Sequence, residues 1–165
     1  QICTPADRER PAPLTVVASM NPVHVRSDRD VVAHILRERG QITHAYRDVW
    51  DTGAVVVFSS DAPFAPIDPW QGIMAAVLRR RPGTPAGEAW YPKQCLTLAE
   101  ATHGFTMAAA ITTSQEQHQG SISAGKTADL TIFDRDIFAL GPEDYQEVTV
   151  AGTVVGGEFK YRAFD

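Results

Sequence analysis

Two short apolar runs in the first half of the chain have the pattern of buried strands. Leu14–Met20 is rich in valine and is closed by Asn21-Pro22, and residues 54–61 (AVVVFSSD) are apolar until their polar end. A continuous apolar run of this length is typical of a strand covered on both faces. Residues 1–13 hold three prolines and four charges of mixed sign, which favours a loop. The pattern therefore predicts two buried strands after a leading loop.

Between these strands, apolar positions recur at helical spacing. Ser27 is placed to cap a helix that ends at Gly40. The stripe that we expect to face the core consists of Val31, Val32, Ile35 and Leu36. A second, weaker helix covers residues 43–52 and ends at Gly53.

Two more helices are predicted after the second strand. Asp68-Pro69 opens the first of them, with proline at the first helical position. This helix frays at Arg79–Arg81, three charges that we expect to be solvated. A surface loop over residues 81–94 follows. The segment Thr97–Glu100 is then a capping box, which predicts a helix as far as about Thr113.

The last third of the chain changes from helical spacing to alternation, which predicts β structure. Leu130, Ile132 and Phe133 make a short strand, and residues 148–161 make a hairpin around a Gly156-Gly157 turn. The chain is therefore predicted to be an α/β piece followed by a separate β piece.

Composition and charge narrow the class of protein. The chain has 165 residues, 44% of them apolar and 21% charged, which predicts a globular protein of one domain or one and a fraction. A net charge of -5 disfavours nucleic acid and anionic membranes as partners. No apolar run approaches the roughly 20 residues of a membrane span. Cys3 and Cys95 form no disulfide framework or thiolate metal motif, so we expect a reducing, cytoplasmic compartment.

Each predicted strand is followed by a polar side chain that is a candidate for chemistry. Asp61 comes directly after the second strand and His24 follows the first, and ligands collect at the carboxyl ends of strands in α/β folds. Alternatively, Asp61 caps the Ala62-Pro63 turn and His24 is a hydrogen-bonded structural residue. The remaining histidines show neither HxH nor HExxH spacing, so the sequence contains no complete metal site.

Several segments occur together in the order found in a known enzyme family. They are Ser60-Asp61-Ala62-Pro63 after an apolar strand, Asp68-Pro69 with Ala75-Ala76-Val77 and Arg79, Leu96-Thr97-Leu98-Ala99-Glu100-Ala101, Gly120-Ser121-Ile122, Gly125-Lys126, Ala128-Asp129-Leu130 and Gly156-Gly157. With these segments the chain, from Gln1 to Tyr161, resembles the amidohydrolase superfamily, in its amidohydrolase 3 branch of metal-dependent hydrolases.

The resemblance implies a fold. Members of the family are distorted (β/α)8 barrels with a small β-sandwich domain, and they bind one or two divalent metals at the C-terminal face of the barrel. By the resemblance, the two apolar strands are barrel strands seven and eight. Residues 1–119 are then the C-terminal portion of the barrel, and residues 120–165 are part of the β-sandwich.

The resemblance also implies roles for individual residues. Asp61 matches the aspartate of strand eight, which contacts the metal, takes a proton from metal-bound water and passes it to the leaving nitrogen of an amide-like substrate. His24 is our candidate for a substrate-binding residue, and zinc is the metal that we expect if the complete site assembles.

The metal ligands of the earlier barrel strands have no counterpart in this sequence, so we expect a fragment. One hypothesis is the C-terminal portion of a hydrolase that cleaves carbon-nitrogen bonds other than peptide bonds in a small molecule. Its other strands then come from an upstream barrel polypeptide. The alternative is a truncated, inactive α/β module that pairs its strand edges with copies of itself, and a module for a protein partner is a third. The substrate and the oligomeric state are left open.

Overall fold

Helices and two strands are interspersed as far as residue 112, after which the described residues form three strands and one 3₁₀ turn. The structure, a computed structural model, describes residues 1–84 and 88–164, so residues 85–87 of the predicted surface loop lie outside the described residues. The elements are α1 (Pro5–Arg8), β1 (Ala18–Met20), α2 (Val25–Ile35), α3 (Tyr46–Asp51), β2 (Val56–Phe58), α4 (Pro69–Leu78), α5 (Leu98–Phe105), α6 (Met107–Thr112), β3 (Leu130–Phe133), β4 (Val150–Val155) and β5 (Glu158–Arg162). The 3₁₀ turns are Pro22–His24, Arg37–Ile42, Pro92–Gln94 and Asp144–Glu147. None of the described helices is long and apolar enough to cross a membrane.

β1 and β2 form a parallel pair in which Met20 lies opposite Phe58. β2 covers three residues of the predicted run 54–61, and its Val56 and Phe58 are buried as predicted, while Val57 on the other face is only partly buried. The prediction for the first strand is wrong in its length and in its burial on both faces. The chain turns at Thr15, which has a φ of +52°, and Leu14 before it is 58% exposed. Only the last three residues of the predicted strand therefore pair with β2.

The predicted loop over residues 1–13 contains the short helix α1. Thr4 caps this helix by accepting a hydrogen bond from the backbone N–H of Asp7, 3.4 Å away. Arg8 is buried and forms an ion pair with Asp48 of α3. The leading segment is thus attached to the rest of the chain, and the prediction of a loop is wrong over α1.

Helix α2 begins before its predicted cap and exposes half of its predicted core stripe. It starts at Val25, two residues ahead of Ser27. Val31 and Ile35 are 57% and 68% exposed, whereas Val25 in the first turn is buried. Gly40 does not end the helix but lies buried within the following 3₁₀ turn. Val32 packs against the core and Val25 is buried in the first turn, so the helix contacts the core over a narrower stripe than the pattern predicts.

The predicted C-terminal end of α3 and the start of α4 are confirmed, whereas α3 starts at Tyr46 and not at residue 43. Gly53, with a φ of +80°, follows the end of α3, and Asp68 accepts a hydrogen bond from the backbone N–H of Trp70 at 2.9 Å. The prediction that α4 frays into solvated arginines is wrong for two of the three. Arg79 is fully buried and Arg80 is 6% exposed, because the chain turns back over the end of α4.

The capping box at the start of α5 is confirmed by reciprocal bonds. The hydroxyl of Thr97 accepts from the backbone N–H of Glu100 at 3.3 Å, and the Glu100 carboxylate accepts from the N–H of Thr97 at 2.7 Å. The single helix predicted to Thr113 is interrupted at Thr106, which separates α5 from α6. There the Thr106 hydroxyl donates to the carbonyl oxygen of Thr102, a bond that commonly bends helices.

The β structure predicted for the end of the chain is confirmed as a three-stranded antiparallel sheet in the order β3-β4-β5. Gly156 and Gly157 have φ values of +60° and +83° at the turn of the β4–β5 hairpin, a conformation that glycine adopts without a steric cost. Trp70 of α4 connects this sheet to the helices. Its ring lies 5.1 Å from that of Phe133, and its Nε1 donates to the carbonyl oxygen of Tyr145 at 3.0 Å.

Candidate functional site

The candidate site lies past the C-terminal ends of the parallel strands β1 and β2. Because the two strands run side by side in register, the residues that follow them leave the sheet at the same edge. His24 ends the 3₁₀ turn after β1, and Asp61 follows β2. Their side chains meet there, with His24 Nε2 3.7 Å from Asp61 Oδ2. The structure thus brings together the two side chains that the sequence singled out, while their roles stay predictions.

Asp61 presents a carboxylate that takes no part in the local turn. Its φ is +60°, in the left-handed region that aspartate tolerates, and its side chain is 57% exposed. The N–H of Phe64 donates to the backbone carbonyl of Asp61 at 2.9 Å, and the N–H of Ala62 donates to Ser60 Oγ at 3.2 Å. The geometry therefore disagrees with the alternative in which the Asp61 carboxylate caps this turn.

His24 is buried, 8% exposed, and only one of its ring nitrogens is hydrogen-bonded. The amide Nε2 of Gln1 donates to His24 Nδ1 at 2.8 Å, so the ring proton is on Nε2. That Nε2–H is buried without a hydrogen-bond partner, and the Asp61 carboxylate is beyond hydrogen-bond distance. A buried donor without a partner is uncommon in proteins and points to a ligand atom.

Asp61 fits part of a metal site and not a whole one. A carboxylate oxygen is a ligand for a divalent cation such as Zn2+, whereas His24 carries its proton on Nε2 and accepts from Gln1 at Nδ1, so neither ring nitrogen is free to ligate. Within residues 1–84 and 88–164, however, no three side chains of the ligating types come together. Any further ligands must come from other parts of a complete site.

A buried hydrogen-bond chain that the sequence analysis missed lies beside the candidate site. His44 is 1% exposed, and its Nε2 donates to Asp28 Oδ2 at 3.1 Å. Its Nδ1 therefore accepts from Tyr46 Oη at 3.0 Å. Tyr46 Oη also lies 3.4 Å from the carbonyl oxygen of Asn21, in the turn that carries His24. This hydrogen-bond chain therefore lies against the turn that carries His24.

Burial lowers the pKa of His44 to about 4, with the nearby Asp28 carboxylate opposing that shift. His44 is therefore neutral in the folded chain at pH 7, whereas the unfolded chain takes up a proton near pH 6.5. A depressed pKa in the folded state makes stability fall as the pH drops through that window. We expect the free energy of unfolding to decrease by about 3 kcal/mol between pH 6.5 and pH 4, measured by urea denaturation.

Two variants check this assignment. His44→Gln keeps a side-chain N–H for Asp28 but cannot titrate, so its stability should be nearly flat from pH 6.5 to pH 4.5. His34→Gln removes an exposed histidine of α2 and should keep the wild-type slope. An equal slope in both variants would show that His44 does not control the pH dependence.

The sequence of the chain matches a known family over nearly its whole length. Residues 1–161 match the profile of the Amidohydrolase family. The chain is 30% identical over 154 residues to Putative amidohydrolase YtcJ of Bacillus subtilis (strain 168), which covers 93% of this chain and 29% of that protein. It is 32% identical over 115 residues to N-substituted formamide deformylase of Arthrobacter pascens, which covers 70% of this chain and 21% of the relative.

A solved structure shares the fold. The crystal structure of an uncharacterized metal-dependent hydrolase from Pyrococcus horikoshii OT3 is similar with a TM-score of 0.70 and 27% sequence identity. The similarity covers 86% of this chain and 29% of that one. The chain thus spans less than a third of the length of each of these proteins. The mixed α/β architecture agrees with the family, and the profile match shows that the chain belongs to the amidohydrolase family.

Proposed function

We propose that this chain is the C-terminal portion of a metal-dependent amidohydrolase that hydrolyses carbon-nitrogen bonds other than peptide bonds. The observation that carries the proposal is the meeting of His24 and Asp61 past the ends of two parallel strands, with a buried N–H facing a carboxylate at 3.7 Å. Family membership supports the hydrolase activity. The name of the Arthrobacter relative, a formamide deformylase, supports a small amide-like substrate.

In this proposal β1 and β2 are strands seven and eight of a (β/α)8 barrel. The parallel pairing and the helices that follow both strands support the assignment. Residues 1–119 then complete the barrel, and residues 120–165 form part of the β-sandwich. Among the described residues each of the two strands pairs only with the other. Their outer edges are therefore proposed to pair with the upstream barrel polypeptide, and pairing with copies of this chain is the alternative.

Asp61 is the proton carrier in the proposed reaction. Its exposed carboxylate takes a proton from the attacking water and passes it to the leaving nitrogen. One residue therefore both activates the weak nucleophile and protonates the poor leaving group. His24 binds the substrate, with its Nε2–H donating to an acceptor atom. Asp61 also supplies one oxygen ligand to a divalent metal, with zinc as our candidate, which polarises the scissile bond when bound.

The test is a chimera in which this chain replaces the matching segment of the Arthrobacter formamide deformylase. We expect the chimera to hydrolyse an N-substituted formamide, measured by release of formate. Chelation should abolish the activity, and Zn2+ should restore it. The chimera carries the upstream strands, so it also tests whether this chain can complete a barrel.

The controls separate failure of the fold from failure of the function. Size-exclusion chromatography and circular dichroism show whether the chimera folds, and metal analysis shows whether it binds zinc. A folded, zinc-loaded chimera without hydrolysis would contradict the proposal. If the chain alone forms a defined oligomer and the chimera does not fold, the self-associating module becomes the better description.

A further inference from the structure

A small cavity lined by N–H donors and by the apolar residues Met74, Leu78 and Pro82 lies between α2, α4 and the 3₁₀ turn Asp144–Glu147. Its volume is about 180 Å³. The polar residues that line it are Arg26, Gln71, Arg80, Arg81 and Gln146. The described lining includes no carboxylate, and neither His24 nor Asp61 takes part in it. The cavity is therefore a site of its own, and its chemistry favours an acceptor-rich ligand.

Two of its guanidinium groups have unused hydrogen-bonding capacity. Arg80 is 6% exposed, and its Nε is buried without a hydrogen-bond partner. The Nε of Arg26 is buried and equally without a partner. Each group makes one side-chain bond, from Arg26 Nη1 to Gln71 Oε1 at 2.5 Å and from Arg80 Nη2 to Glu143 Oε2 at 3.0 Å. Buried N–H groups of this kind are costly unless an acceptor reaches them.

The carboxylates near the cavity lie outside its lining. Glu143 pairs with Arg80, and Asp30 pairs with Arg81 at 2.5 Å, but the side chains of these acids are 62% and 73% exposed. Asp68 also acts on Arg26 through its charge. Exposed ion pairs are weak and exchange readily with a better acceptor. A phosphate group in the cavity therefore competes for Arg80 and Arg81 with carboxylates that are themselves mostly exposed to water.

We propose that this cavity binds a phosphate group, either as inorganic phosphate or as the phosphate of a small metabolite. Guanidinium groups bind tetrahedral oxyanions through two parallel N–H bonds, and phosphate has enough oxygens to engage three arginines. A volume of about 180 Å³ holds one phosphate group with a few waters or a short attached chain. The site is independent of the proposed hydrolase activity.

Isothermal titration calorimetry with inorganic phosphate, at neutral pH and constant ionic strength, tests the proposal. We expect one saturable site per chain with a Kd of about 1 mM or tighter. Titration with glycerol 3-phosphate distinguishes inorganic phosphate from a phosphorylated metabolite as the ligand. Tighter binding than inorganic phosphate identifies a phosphorylated metabolite, and weaker binding identifies free phosphate.

Gln146→Glu is the sharpest variant, since Gln146 is exposed on the 3₁₀ turn and a carboxylate there opposes the anion. We expect its Kd for phosphate to rise at least about tenfold. Gln117→Glu adds the same charge at an exposed position outside the cavity and should bind like the wild type. Arg26→Gln should lose binding as Gln146→Glu does. The proposal is overturned if phosphate shows no saturable binding, or if Gln146→Glu and Gln117→Glu bind it equally.

Discussion

Replacement of Asp61 by asparagine is expected to lower kcat of the zinc-loaded chimera about 10³-fold, because a side chain that transfers protons contributes a factor of this order. Asparagine has nearly the same shape and tolerates the left-handed φ of +60° at this position. The Asp61 side chain is 57% exposed, so the free energy of unfolding should stay within about 0.5 kcal/mol. The measurements are formate release and urea denaturation.

The matched control is Asp51→Asn, which removes the same charge from a side chain that is 59% exposed on α3. It should leave kcat unchanged. If Asp61→Asn retains full turnover, Asp61 is not the proton carrier. If it unfolds the chain while Asp51→Asn does not, Asp61 has a structural role, and its position at the strand end is not evidence for catalysis.

The elements that the sequence predicted well are those determined by neighbouring residues. The Asp68 cap, the capping box at Thr97–Glu100 and the Gly156-Gly157 turn each need only a few positions to form their bonds. The same local logic could have located α1, since Thr4 followed by proline is a good helix start that the leading segment's charge and proline content obscured.

The predictions that were wrong depend on contacts between distant residues. Nothing near Val31 and Ile35 in the sequence shows that these two side chains of α2 are exposed while Val32 packs against the core. The burial of Arg79 is likewise set by residues 44 and 90, which reach it from separate parts of the chain. A charge run at a helix end has the same local pattern whether it is solvated or covered.

The position of the candidate site could be predicted from the sequence, but the hydrogen bonds of its side chains could not. Strand ends are a general rule for α/β folds, and that rule alone selects Asp61 and His24. The ring proton of His24 is on Nε2, where it has no hydrogen-bond partner, because Gln1 donates to Nδ1. Gln1 lies 23 positions away in the sequence, so no local pattern shows this contact. The phosphate cavity similarly joins side chains from three segments, so no local motif could indicate it.

Arg79→Met is expected to destabilise the chain by about 3 kcal/mol, because it removes two buried charge-assisted hydrogen bonds and leaves the carbonyl oxygen of Trp90 without a donor, while the carbonyl oxygen of His44 keeps the backbone N–H of Tyr46. Arg79 Nε donates to the carbonyl of Trp90 at 2.8 Å, and Nη1 donates to the carbonyl of His44 at 3.0 Å. The guanidinium also lies over the ring of Tyr46, 5.0 Å from its centroid, which adds a cation-π contact. Burial lowers the pKa of Arg79, so part of this gain is offset by the cost of removing the charge from water.

The chain offers a control with the same backbone strain. Arg37 has a φ of +49°, close to the +46° of Arg79, but its side chain is exposed. Arg37→Met thus removes an equal charge from an equally unusual backbone conformation, and it should change the free energy of unfolding by less than about 0.5 kcal/mol. Urea denaturation of both variants at pH 7 compares their free energies of unfolding. If they are equally stable, the two buried bonds contribute nothing net, and the hydrophobic contacts of Tyr46 and Trp90 hold these segments together without the arginine.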